Sequence, residues 1–215
     1  MVSESNLEKD LQNNLTNICN GPLTECNECG LDEKLMCRYE LKDTIIFVIP
    51  FLIAFIPGII GIILSGYGLW LIPFVGYLLF FFLIWENRML CSHCPYYAEV
   101  GKTLKCHANY GLPKNWSYHP EPMSHSEQIQ FLIGVLIIVG FPVVFLILGG
   151  QYLILVITLI GIFLWLGVLL FRACKKCLNF SCPLNRVPKK TVYEYLKHND
   201  VMRKAWEEKG YKIGS

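Results

Sequence analysis

Hydrophobic residues along this chain are gathered into four unbroken blocks, Thr44–Leu64, Gly68–Trp85, Ile129–Leu148 and Tyr152–Phe171. Each block approaches the ~20 residues that a helix needs to cross ~30 Å of hydrocarbon. None holds an Asp, Glu, Lys, Arg or His, whereas a helix buried in a soluble core keeps a polar face. The pattern predicts four transmembrane helices. The links Ser65-Gly66-Tyr67 and Gly149-Gly150-Gln151 are short and uncharged, which suits two tight helical hairpins.

The blocks divide the chain into five parts. An acidic Cys-rich arm covers 1–43, a hairpin 44–85, a Cys-, aromatic- and Pro-rich middle arm 86–128, a second hairpin 129–171, and a basic Cys-containing arm with a helix 172–215. Four spans put all three arms on one face of the membrane. The expected fold is an all-α integral membrane protein, a four-helix transmembrane bundle with Cys-rich, metal-stabilised arms. Composition agrees: 53% of residues are hydrophobic, 17% are charged, and the mean hydropathy is +0.41.

Charge adds an orientation. All 19 Lys and Arg lie in the arms, four in the first, four in the middle and eleven in the last. The positive-inside bias then predicts arms and both termini in the cytoplasm, with the chain integral to the cell membrane. The first apolar block follows an acidic, Cys-containing segment, unlike a signal peptide with its basic n-region, so the N-terminus is expected to be retained. With cytoplasmic arms, the sequons at Asn14 and Asn115 carry no weight.

Local signals refine the arms. Leu7, Leu11, Leu15 and Ile18 recur at near-helical spacing and predict a short amphipathic helix. Ser124 and Glu127 form a capping-box spacing that should start the third span, and Thr191 and Glu194 a second one that should start a C-terminal helix or pair of helices ending at Gly210. Val192, Tyr195, Leu196, Met202 and Trp206 would make its apolar face. Pro50, Pro57 and Pro73 predict bends in the first two spans. Tyr96, Tyr97, Tyr110, Trp116 and Tyr118 should pack, at the membrane interface or around a small pocket.

The hairpins also resemble each other. Pro57 precedes Tyr67 by ten residues and Pro142 precedes Tyr152 by ten; Tyr67 precedes Cys91 by 24 and Tyr152 precedes Cys174 by 22. A duplicated two-span unit is expected, with its copies related by an axis along the membrane normal.

The ten cysteines all lie in the arms. Cys91-Ser-His-Cys94 and Cys174-Lys-Lys-Cys177 each follow an apolar block, and a C-x-x-C turn brings two sulfurs to one side, as a soft metal or a redox disulfide requires. Cys19, Cys26, Cys29 and Cys37 supply four more thiols, and Cys106 and Cys182 complete the set. In a reducing cytoplasm clustered cysteines favour metal over stable disulfides. Zinc is the expected metal, simplest as Cys91, Cys94, Cys174 and Cys177 around one ion. Another division sets Cys91, Cys94, Cys106 and His107 apart from Cys174, Cys177, Cys182 and an N-terminal cysteine. An iron–sulfur cluster, as in an electron-transfer protein, is the alternative. His93 and His107 are expected to support rather than ligate.

No ionisable residue sits inside the blocks, which counts against a proton or ion pathway. Glu86 and Arg172, at block ends, are expected to be interfacial anchors. No Ser/His/Asp set, paired carboxylates or phosphate-binding glycine loop points to an enzyme. The expected function is a scaffold, sensor or docking role, with the bilayer as one partner and a protein met by the cytoplasmic arms as another. The basic last arm lacks a nucleic-acid module, and lipid headgroups or the acidic first arm are its expected counterparts. In architecture alone the chain resembles the DsbB and vitamin K epoxide reductase families, which implies a membrane thiol–disulfide oxidoreductase as the competing reading.

Overall fold

The structure, a computed structural model, describes residues 30–31, 33–37, 40–99, 101–106 and 108–212. Among these residues the chain is all-helical without strands, and four helices are long and apolar enough to cross a membrane: Leu41–Leu64, Gly68–His93, His125–Leu148 and Tyr152–Ala173. The first span is α1 (Leu41–Leu64). The second begins as a 3₁₀ turn (Gly68–Trp70), runs through α2 (Leu71–Phe80), widens into a π-helical turn (Phe81–Trp85) and ends as α3 (Glu86–Met89). A 3₁₀ turn (Cys91–His93) and α4 (Pro95–Ala98) lead into the middle arm. The third span is α5 (His125–Leu148), and the fourth is α6 (Tyr152–Val168) with a second π-helical turn (Leu169–Ala173). The last arm carries α7 (Lys189–His198) and α8 (Asp200–Glu208).

Local chemistry sets several of these ends. The Ser124 hydroxyl accepts the Glu127 N–H at 3.3 Å, and the Glu127 carboxylate accepts the Ser124 N–H at 2.8 Å, so the anticipated capping box starts α5. The second one does not form: α7 starts two residues before Thr191 with Pro188 at its N-cap, and Thr191 is buried inside the helix. Pro188 supplies the entry instead, its backbone pre-set for the turn. Asn199 caps α8 by accepting the Met202 N–H at 3.0 Å. Pro73 falls in the first turn of α2, just after the 3₁₀ entry of the second span, whereas Pro50 and Pro57 lie inside α1. The amphipathic stretch of Leu7 to Ile18 lies outside the described residues.

The spans pack in two different ways. Along α1 and α6 the contact is backbone-close: a Cβ on Gly161 would stand 2.7 Å from the Cα of Ala54, and one on Gly58 would stand 3.1 Å from Pro142 of α5. The second span meets α5 through rings. Phe74 stacks on Phe141 at 4.1 Å, Phe81 fills the notch left by Gly134, and Tyr77 donates to the Gly134 carbonyl at 3.1 Å. The first and second spans meet chiefly at their hairpin turn. Large apolar side chains such as Leu136 and Leu153 cover the outside, as a lipid-facing surface requires.

At one end of the bundle the arms form a body with its own apolar core. Leu31, Leu35, Tyr96, Leu178, Tyr195, Leu196, Met202 and Trp206 are buried together there. The predicted apolar face of the C-terminal helices, Val192 through Trp206, supplies much of it. The middle-arm aromatics divide: Tyr96 and Tyr97 are buried, Tyr110 and Trp116 exposed.

The small-residue contact between α1 and α6 generates a direct expectation. Gly161→Val forces a side chain against backbone and should lower the thermal midpoint of the detergent-solubilised protein, at a cost on the order of 1–3 kcal/mol. Gly140→Val on α5, where an added Cβ meets nothing within 4 Å, should leave the midpoint unchanged. Equal effects would show that the close approach is not a stabilising contact.

Candidate functional site

Both C-x-x-C turns lie where a span hands over to an arm. Cys91 sits in the 3₁₀ turn after α3, with the Cys94 N–H closing on the Cys91 carbonyl at 2.9 Å. Cys174 follows the second π-helical turn directly, and the Arg186 N–H returns to its carbonyl at 2.9 Å. A side chain ties one turn to the other: Asn179 donates to the Leu90 carbonyl at 2.8 Å. Asn185 fixes the second turn in place by donating to the carbonyls of Cys177 and Asn179, each at 2.9 Å.

Six cysteines, Cys91, Cys94, Cys106, Cys174, Cys177 and Cys182, border one cavity of about 670 Å³. All six carry free thiols. They form the arm-side floor of the cavity, and the walls are apolar residues from all four spans, including Phe47, Phe51, Phe81, Phe131 and Trp165. Cys37 does not border the cavity but lies in the apolar core of the arms, against which Cys94 and Cys106 pack. It still lies near the second turn in space, because its neighbour Met36 donates its N–H to the Lys176 carbonyl at 2.8 Å. Cys19, Cys26, Cys29 and His107 lie outside the described residues.

The thiols feel one another. Burial pushes Cys94 well above the usual thiol range, and proximity to Cys177 and Cys106 adds to the effect. Burial raises Cys106 and Cys177 to about 12 and Cys174 to about 11. Burial also raises Cys182, with Cys177 as a further cause. A regular opposing contribution comes from the backbone. The N–H groups of Tyr96, Ala108, Asn179 and Leu184 face the sulfur two residues earlier, at Cys94, Cys106, Cys177 and Cys182, and favour its thiolate. Asn109 adds its own N–H to Cys106 and its side-chain amide to Cys91, both at 3.2 Å. Among the described residues, no group of three or more His, Cys, Asp or Glu is arranged to hold a metal ion.

Glu86 corrects an expectation. It is not an interfacial anchor but 6% exposed, borders the cavity, and accepts a hydrogen bond from Asn109 at 3.1 Å. The second helix runs past Trp85 to Met89, so Glu86 points from helix into the junction instead of ending it. Arg172 remains exposed at its span end. His93 is buried with both ring nitrogens engaged, Nδ1 at 2.8 Å from the Glu121 carbonyl and Nε2 at 3.4 Å from Glu127. It therefore braces the middle arm against the start of α5. Asn109, Asn179 and Glu127 were not singled out as site residues by their sequence positions. The bonds Asn109 to Glu86, Glu127 to His93 and Asn179 to Leu90 span 23, 34 and 89 residues, and no spacing rule reaches that far.

No family model, curated protein or solved structure matches this chain.

The raised thiols predict a pH dependence for chelator-treated protein. A pKa raised on folding adds stability that is complete below the unfolded value and lost as pH rises through the folded one. From the ordinary value of 9.0 to the raised 11 and 12 of Cys174, Cys106 and Cys177, the arms should lose stability steadily. Denaturant unfolding followed by near-ultraviolet circular dichroism should give a constant midpoint from pH 7 to 8.5 and a falling one above 9. A midpoint that rises above pH 9 would contradict the burial of protonated thiols.

Proposed function

We propose that this is a membrane-anchored scaffold whose arms are clamped to the bundle by a thiolate metal site, with zinc as the metal and partner docking on the arms as its role. The observation that carries the reading is the recurrence of one device at four cysteines. Cys94, Cys106, Cys177 and Cys182 come from three separate segments, border one cavity, and each has the backbone N–H of the second residue on facing its sulfur, with the Asn109 N–H bonded to Cys106 at 3.2 Å. N–H groups so placed stabilise a sulfur that carries negative charge, to which a bound cation would supply the counter-charge. Four thiolates match the closed tetrahedral site of a structural zinc. Cys91 and Cys174 stand beside them as the remaining members of the two C-x-x-C pairs. Six sulfurs exceed the needs of one zinc, and an iron–sulfur cluster is the second reading that this surplus favours.

A metal here would work together with the apolar core of the arms. Its loss should loosen the junction of the C-x-x-C turns and leave the spans helical. The oxidoreductase reading gains less support, because an attacking thiol needs a lowered pKa and burial moves Cys94, Cys106, Cys177 and Cys182 the other way. The eleven Lys and Arg of the last arm support a cytoplasmic face for the arms and an encounter with anionic headgroups or an acidic partner. The matched Pro, Tyr and C-x-x-C order of the two hairpins supports their origin by duplication.

Elemental analysis with an absorption spectrum on anaerobically purified protein tests the metal. The expected result is about one zinc per chain without a visible band, lost in Cys94→Ser and in Cys177→Ser. Iron with a broad visible band would replace zinc by a cluster, and metal-free protein with a titratable disulfide would overturn the reading. In the same preparation sealed as right-side-out vesicles, a protease that cuts the last arm should act only after the vesicles are opened; cutting from outside would reverse the orientation.

A further inference from the structure

The cavity is longer than a metal site needs. Val75 and Glu86 both border it, and along the second span they are separated by about 16 Å of helical rise. Above the cysteine floor its walls are apolar. Leu52, Val75 and Leu79 line it and are at the same time 45%, 52% and 57% exposed on the flank of the bundle. Because the first and second spans meet chiefly at their hairpin turn, the cavity opens sideways between them at the depth of the hydrocarbon. Its volume of about 670 Å³ falls within the range of small-molecule sites.

Two polar atoms in this apolar setting need partners. Among the described residues, Glu86 Oε2 and Trp165 Nε1 make no hydrogen bond. Their residues are 6% and 7% exposed and both border the cavity. Buried polar atoms left in this state are rare and costly. Trp165 Nε1 can only donate, and a carboxyl oxygen accepts when ionised and can donate when protonated. They lie at the floor and on the wall of a single space, and neither is met by a neighbouring backbone group.

We propose that the cavity binds an uncharged membrane lipid, a long apolar chain bearing a hydroxyl or carbonyl head group, which enters between the first and second spans and sets its oxygens against Glu86 and Trp165. A hydroxyl meets both needs, since it donates to the carboxylate and accepts from the indole. An ammonium head would pair with Glu86 but has no acceptor for the Trp165 N–H. An anionic head would face a carboxyl group and six sulfurs. The rings of Phe47, Phe51 and Phe131 border the same space and give the chain an apolar wall. The head group would sit beside the metal proposed below it, since Asn109 bonds Glu86 as well as Cys91 and Cys106, so metal content is read next to labelling in each variant.

The test uses full-length protein in nanodiscs and three photoreactive diazirine probes of equal chain length: a monoacylglycerol, a fatty acid and an alkylamine. Labelled residues are mapped by mass spectrometry. The monoacylglycerol should label the cavity wall around Leu52, Val75 and Val135 in preference to the other two. Glu86→Ala should weaken that labelling by about tenfold, the change expected for one lost buried hydrogen bond. Val135→Trp, which fills the wall without touching Glu86, should reduce it while the thermal midpoint and metal content hold. If Glu86→Ala does not fold, the wild-type map and Val135→Trp decide the matter. Competition by unlabelled monoacylglycerol and by a long-chain alcohol separates a glycerol head from a simple hydroxyl. Equal labelling by all three probes, labelling confined to outward residues such as Leu153, or preference for the acid or the amine would overturn the proposal.

Discussion

The hydrogen bond from Asn179 to the Leu90 carbonyl, at 2.8 Å, joins the ends of the second and fourth spans, and much else follows from that join. It sets the turn of Cys91 and Cys94 beside the turn of Cys174 and Cys177. Once the turns are together, Cys106 and Cys182 complete the floor of the cavity. The arms pack over the same junction: Tyr96 donates to the Met36 carbonyl, Trp206 donates to the Pro120 carbonyl at 3.1 Å, and Gln128 donates to the Ser181 carbonyl at 3.1 Å. These bonds link the first, middle and last arms with the start of the third span. A bond of this kind contributes only about 1 kcal/mol by itself. Their value lies in register, because each fixes which buried surfaces meet.

The bundle leaves room above the floor because its two seams are built differently. Glycine and alanine let α1 and α6 approach backbone to backbone, while Phe74, Phe81, Phe131 and Phe141 hold the second and third spans apart by the thickness of rings. One tight seam and one wide seam cannot close a four-helix bundle evenly. The residual space runs from the cysteines up between the apolar helices. A floor of sulfur and amide groups thus continues upward into an apolar shaft.

The spans were legible because charge is excluded from them for a simple reason, the cost of placing it in hydrocarbon. The capping box of α5 and the buried face of α7 and α8 were legible because both depend on residues a few positions apart. The positions of the C-x-x-C turns could be read, and so could the candidacy of Cys106 and Cys182. What could not be read depends on distant partners. Glu86 resembles any acidic residue at a span end until Asn109 folds over it. Thr191 carries a cap signal that Pro188 overrides, since proline fixes the entry two residues earlier. The cysteines could be named as candidates, but which of them border one cavity rests on Asn179 and Asn185, ordinary residues in sequence.

The central claim is that sulfurs from separate segments converge on one metal. X-ray absorption at the metal edge of the intact, anaerobically purified protein tests it most directly. The account predicts a shell of four sulfurs at about 2.3 Å for zinc. A shell dominated by nitrogen or oxygen, or no bound metal with the cysteines paired as disulfides, would contradict it.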